Sequence, residues 1–197
     1  MILKEKLEEV RRYESLIWNF SCQSADCDTE LITIIQEALN FSIQNLFIIH
    51  DGYKYEMYWF EIVNGSICGA VGTLLDKEER LKKSQNIANF FTELILQQKW
   101  KGSRFHFIFI LQIMKRKSNI AYIASHPAIW EADGFTQFAL VEALYKLRIS
   151  GFSREFLEMK KIAERDGDKQ MLNFITRYLA NEHKYKHFSV FLEKKNK

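Results

Sequence analysis

The sharpest hydrophobic patterning in the chain runs from Asn45 to Leu75. Three apolar runs, 45–50, 53–63 and 66–75, are separated by Asp51-Gly52 and Asn64-Gly65. Both central residues of a tight I′ turn need φ > 0, which Asn, Asp and Gly tolerate best, so this pattern predicts a three-stranded antiparallel meander. Two-residue loops set the register: Ile48 opposite Tyr55, Trp59 opposite Ala70, Phe60 opposite Gly69. One face would carry Ile48, Tyr55, Met57, Trp59, Ala70 and Leu74. The other would carry Phe47, Ile49, Tyr58, Phe60, Ile62, Ile67 and Val71. A sheet apolar on both faces needs covering on both. Gly69 and Gly72 lie inside a predicted strand, where large opposite side chains would cover their bare backbone, and not at the strand-to-helix junction a phosphate loop requires.

Either side of this stretch the periodicity is mostly helical. Leu3, Leu7, Val10 and Ile17 form one stripe over residues 2–20, and Leu31, Ile35, Ala38 and Leu39 another over 28–42. Asp76 with Glu79 resembles a capping box opening a helix to about Lys101, closed by Gly102. RFHFIFILQIM (104–114) and IAYIAS (120–125) are rich in β-favouring residues and predict a second hairpin. Pro127 suits the first turn of a short helix, and a longer helix is expected after Gly134. Beyond Gly151, helices opened by Ser153 and Asp168 and split at Gly167 form a helical hairpin. The expected fold is α+β: an antiparallel sheet of about five strands, meander 45–75 plus hairpin 104–125, packed by helices. Residues 1–150 would form the core domain. Residues 151–197 would add the hairpin and a basic tail.

This order of elements over residues 29–149 resembles the fold of type III secretion chaperones and of YbjN-like domains, and is similar to the GAF and PAS style of sensor. The resemblance implies a fold and carries no residue across.

Composition narrows the class. Apolar residues make up 47% of the chain, enough for a sizeable core, which excludes disorder. Three cysteines, an odd number, do not make a disulfide framework and suggest a reducing, cytoplasmic setting. The start MILKEKLEEVRR is charged where the apolar part of a signal peptide would lie. The longest apolar run, 107–111, is too short to cross a bilayer. A net charge of +3 neither demands nor excludes nucleic acid.

No catalytic motif stands out from chance. Arg177 and His183 fit the loose R-x(4–6)-H pattern of HEPN ribonucleases, in which histidine would act as acid-base and arginine would hold phosphate. Cys22 and Cys27, with His183 and His187, could supply a zinc site, although the two pairs are far apart in sequence. Asp51, Glu56 and Glu61 lack the following lysine of a PD-(D/E)xK nuclease. His50 and His106 sit among aromatics, and Cys68 reads as a small core residue. Lys115, Arg116 and Lys117, with tail residues Lys184, Lys186, Lys194, Lys195 and Lys197, could attract phosphate, against the simpler reading of solvated turn charge. The expectation is therefore a non-enzymatic, cofactor-free interaction domain (chaperone, adaptor or inhibitor) that binds another protein through apolar surface and pairs as a homodimer. The alternatives are a GAF/PAS-like sensor with a pocket lined by Tyr55, Trp59, Phe105 and Phe107, or a ribonuclease using Arg177 and His183.

Overall fold

The computed structural model describes residues 3–46 and 59–187, and over these the chain is almost entirely helical. Helices α1 (Leu3–Trp18) and α2 (Cys27–Asn45) are followed by α3 (Trp59–Lys77), α4 (Glu79–Lys82) and α5 (Gln85–Leu96). A 3₁₀ segment (Gln98–Ser103) leads into α6 (Arg104–Ile113), then α7 (Lys117–Ala124), α8 (Pro127–Trp130) and α9 (Gly134–Leu147). The hairpin α10 (Ser153–Asp166) and α11 (Lys169–Asn181) completes the helices, with a 3₁₀ turn over Glu182–Lys184. Two-residue strands β1 (Ile149–Ser150) and β2 (Lys186–His187) pair in parallel.

The antiparallel sheet is a misreading of helices. Asn64-Gly65 lies inside α3 and makes no turn. The side chain of Asn64 is buried and donates to Ser103 Oγ at 2.9 Å. Gly65 is where α3 crosses α6: a Cβ there would lie 2.7 Å from the His106 ring. The buried residues of α3 (Val63, Ile67, Val71 and Leu74 among them) recur every three to four positions, the helical period and not alternation. The same holds for 104–114, predicted as a strand. Phe107, Ile108, Ile110, Leu111 and Met114 are buried, while Phe109 stands out in solvent at 52% exposure. The second predicted hairpin strand, 120–125, lies largely in α7. Continuous apolar runs fit either structure, and packing of helix on helix decided here. The Asp51-Gly52 turn and most of strands 45–50 and 53–63 fall on residues outside those described.

Other expectations meet the structure more closely. Helices occupy most of 2–20 and 28–42, Pro127 opens α8, and a helix follows Gly134. Gly167 ends α10 in the left-handed conformation at φ +70°. Asp168 caps α11 by accepting from Met171 N at 2.9 Å. The capping box at Asp76 is absent: Asp76 belongs to α3, and Ser84 caps α5, accepting from Ile87 N at 3.2 Å.

One apolar core runs from α1 through to α11. Helix α6 sits at its centre against α3, α5 and α9. Its Phe107 packs between Phe91 of α5 (ring centroids 5.8 Å apart) and Trp100 (6.2 Å). Amides tie α5 to α7: Asn119 donates to Thr92 Oγ1 at 2.9 Å and accepts from Gln85 Nε2 at 3.3 Å. Asp28 fastens α2 to the start of α5, accepting from Ser84 Oγ (2.9 Å) and Asn86 Nδ2 (2.8 Å).

His106, wedged against Gly65, has its pKa lowered by burial to about 4. The unfolded chain takes up this proton near pH 6.5. Stability should therefore fall as the pH drops from about 6.5 to about 4, by on the order of 2 kcal/mol once solvent screening is allowed for. Denaturant titrations at pH 7 and near pH 4.5 check this, and His106→Phe should remove this part of the acid loss.

Candidate functional site

The candidates from the sequence scatter. Cys22 and Cys27 form a disulfide, Cα atoms 5.2 Å apart, so in this form neither sulfur is a zinc ligand. His183 and His187 share no helix face, because α11 ends at Asn181 and His187 lies in β2. No group of three or more His, Cys, Asp or Glu among the described residues could hold a metal ion. Cys68 is buried in α3, and burial pushes its thiol well above the usual range. Asp51, Glu56, His50 and Tyr55 lie outside the described residues, and Glu61 stands against Gly102.

Of the residues expected to line an aromatic pocket, Phe107 is fully buried against Phe91 and Trp100. Phe105 is half-buried, beside His106 and 5.6 Å from Phe135. Of the basic loop, Arg116 turns back into the protein, donating to Lys82 O at 3.2 Å and Gln85 Oε1 at 3.4 Å. It is a tie between α4, α5 and α7. Lys115 is exposed, with φ +55°.

Arg177 has a different fate. It lines a cleft of about 420 Å³ between the C-terminal ends of α9 and α11, with Tyr145, Lys146, Arg148, Asn181, Lys184 and Tyr185. His183 is exposed and does not line it. Arg177 lies in α11 and His183 in the 3₁₀ turn after it, and of the two Arg177 alone lines this cleft.

Three local features build this cleft. Helix α9 ends on Arg148 in the left-handed conformation, φ +55°, a geometry that usually selects glycine. The chain then extends, and Lys186 N donates to Arg148 O at 3.2 Å while β1 pairs with β2. This pairing brings Lys184 and Tyr185 alongside Arg148. Gly151 follows at φ +103°, where a Cβ would meet the His187 ring at 2.8 Å, so β2 sits close over the loop.

Glu182 anchors the far side. It accepts from Gly151 N (2.7 Å), Phe152 N (3.2 Å), Ser153 Oγ and Tyr178 OH (3.0 Å). It thereby caps α10, whose N-cap residue, Phe152, has no capping side chain. The one acid beside Arg177 and Lys184 in sequence is thus turned inward and engaged. Tyr178, stacked on Phe156 at 3.7 Å, has its pKa raised by burial first and then by this carboxylate.

The charge left in the cleft is positive. Lys146 pairs with Glu142 at 2.9 Å, and Lys184 donates to Asn181 Oδ1 at 3.2 Å. Arg148 and Arg177 have no carboxylate partner among the described residues. Helix α11 contains Lys169 and Arg177 and no Asp or Glu. The lining offers cations, an amide and phenols, and holds no carboxylate, histidine, serine or cysteine. It can bind an anion. The larger groove between α1 and α3, about 620 Å³, carries both Arg11 and Glu14, the latter engaged by Ser66, and has no such excess.

The sequence reading missed Tyr145, Lys146, Arg148, Asn181 and Tyr185. The acid-free run from Lys169 to Asn181 was a visible signal. The convergence of Arg148 with Lys184 was not, because it depends on β1 meeting β2. Comparison of the chain with protein-family models, with curated proteins and with solved structures finds no match. No helix among the described residues is long and apolar enough to cross a membrane.

Proposed function

We propose that the chain is a non-enzymatic helical binding module whose α9–α11 cleft holds a phosphate-bearing polyanion. The observation that carries this is the convergence of cations from three separate segments, of which only Lys146 is paired to a carboxylate among the described residues. Like charges gathered at one place repel, and an anionic ligand offsets that repulsion. Guanidinium groups also fit phosphate oxygens in a planar fork. The docking sheet expected from the sequence falls with the sheet itself.

Isothermal titration with inorganic polyphosphate at low and moderate salt tests the reading. Binding should weaken with salt, and the pair Arg148→Glu, Arg177→Glu should lower affinity at least tenfold, about 1.4 kcal/mol. Lys160→Glu with Lys161→Glu on α10, outside the cleft, should matter far less. An equal loss from both pairs, or no binding at low salt, sinks the proposal. Arg148→Gly separates fold from function. It relieves a left-handed arginine, so its melting temperature should be no lower than the parent's, while affinity drops severalfold.

A further inference from the structure

We infer that the polyanion is single-stranded nucleic acid, with its phosphates on Arg148, Arg177 and Lys184 and a base against Tyr145 or Tyr185. This rests on the cationic cleft proposed above and goes further by naming the ligand class.

Two observations point past a simple phosphate group. The first is the tyrosine pair. Tyr145 packs on Phe174 with centroids 5.5 Å apart, and Tyr185 meets Tyr178 edge-on at 5.6 Å. Each ring is thus braced on one side. Both are only part-buried, and the surface they leave uncovered lines the cleft beside the cations. A rigid aromatic surface next to a guanidinium matches a nucleotide, a planar base joined to a phosphate. A free phosphate gains nothing from the rings, and a duplex keeps its bases stacked on one another and out of reach.

The second is length. Lys169, Asn173, Arg177 and Asn181 recur at four-residue intervals along the solvent side of α11, and Lys184 continues the series. The sixteen residues from Lys169 to Lys184 span roughly 22 Å at helical rise, and α11 itself holds no carboxylate. One phosphate group cannot occupy such a track. A strand with regularly spaced phosphates can, and every base has a face to offer, so sequence preference should be slight.

The test uses the full chain and three probes followed by fluorescence anisotropy: a single-stranded oligonucleotide of about 12 residues, as RNA and as DNA, its blunt duplex, and polyphosphate of matched charge. The single strand should bind about tenfold or more tighter than either of the others. The pair Tyr145→Leu, Tyr185→Leu should bring it down to the polyphosphate level and leave polyphosphate binding unchanged. The Tyr→Phe pair should retain tight binding, and also serves if the leucine pair fails to fold. Quenching of 2-aminopurine placed in the strand should vanish with the leucine pair and persist with the phenylalanine pair. RNA and DNA binding alike leaves stacking as the basis, and a strong preference for RNA adds contact with the 2′-hydroxyl. If polyphosphate or duplex binds as well as the single strand, or the phenylalanine pair loses binding as far as the leucine pair, this inference falls and the cationic cleft stands. If none of the probes binds at low salt, both fall together.

Discussion

Glu182→Ala is expected to destabilise the protein by about 3 kcal/mol, because one carboxylate serves four donors and charge-assisted bonds are each worth about 1.5–3 kcal/mol. Its removal strips Gly151 N, Phe152 N, Ser153 Oγ and Tyr178 OH of their acceptor. Tyr178 is fully buried, so part of this loss stays uncompensated by water. For a chain of this size the midpoint of thermal unfolding should drop by about 6–12 °C. Glu182→Gln keeps one oxygen and should recover roughly half. The damage should be local as well. Hydrogen exchange should rise first at the start of α10, and anion binding should weaken because β1 and the end of α11 are no longer held together. A melting temperature within a degree of the parent's would mean that the carboxylate contributes nothing as a cap.

Trp100→Ala should be costlier, about 3–5 kcal/mol, through the cavity it leaves. Trp100 is fully buried in the 3₁₀ segment before α6, edge-on to Phe107. The ring fills the angle where α5 hands over to α6, a junction that cannot collapse without moving both. Its indole nitrogen has no hydrogen-bond partner there. Trp100→Phe discards that unpaired donor while keeping much of the volume, and should recover most of the loss. Urea titrations of the three proteins give the comparison. A phenylalanine variant no better than alanine would show that the shape of the indole matters more than its buried polar atom.

The helical ends of the chain were legible because punctuation and periodicity agree there. Pro127, Gly167 and Asp168 each do in the structure what their chemistry favours in isolation. The middle was misread because two local signals outweighed a longer one. Asn64-Gly65 has the chemistry of a hairpin turn, yet here both residues serve a helix crossing: the amide reaches Ser103 and the absent side chain admits His106. Phe105, Phe107 and Phe109 look like one face of a strand. In the helix they are half-buried, buried and exposed in turn. β-Propensity reflects how side chains fit a packed surface, and such residues pack as well between helices. The cleft was half legible. Arg177 stood out for its spacing to His183, yet of the two only Arg177 lines the cleft. The partners that matter to it, Arg148 and Lys184, come from segments joined by two residues of parallel pairing.

The cluster of cations near α11 has a counterpart at the opposite end of the order in which helices pack. Residues 26–45, covering α2, hold Asp26, Asp28, Glu30 and Glu37 and no lysine or arginine. Helix α2 packs on α1, α3 and α5, while α11 packs on α9 and α10. Helix α2 is thus acidic and α11 basic, although the net charge of the chain is small. If the cleft takes a polyanion as proposed above, the carboxylates of α2 repel that ligand while the cations of the cleft attract it, which biases encounters toward the cleft.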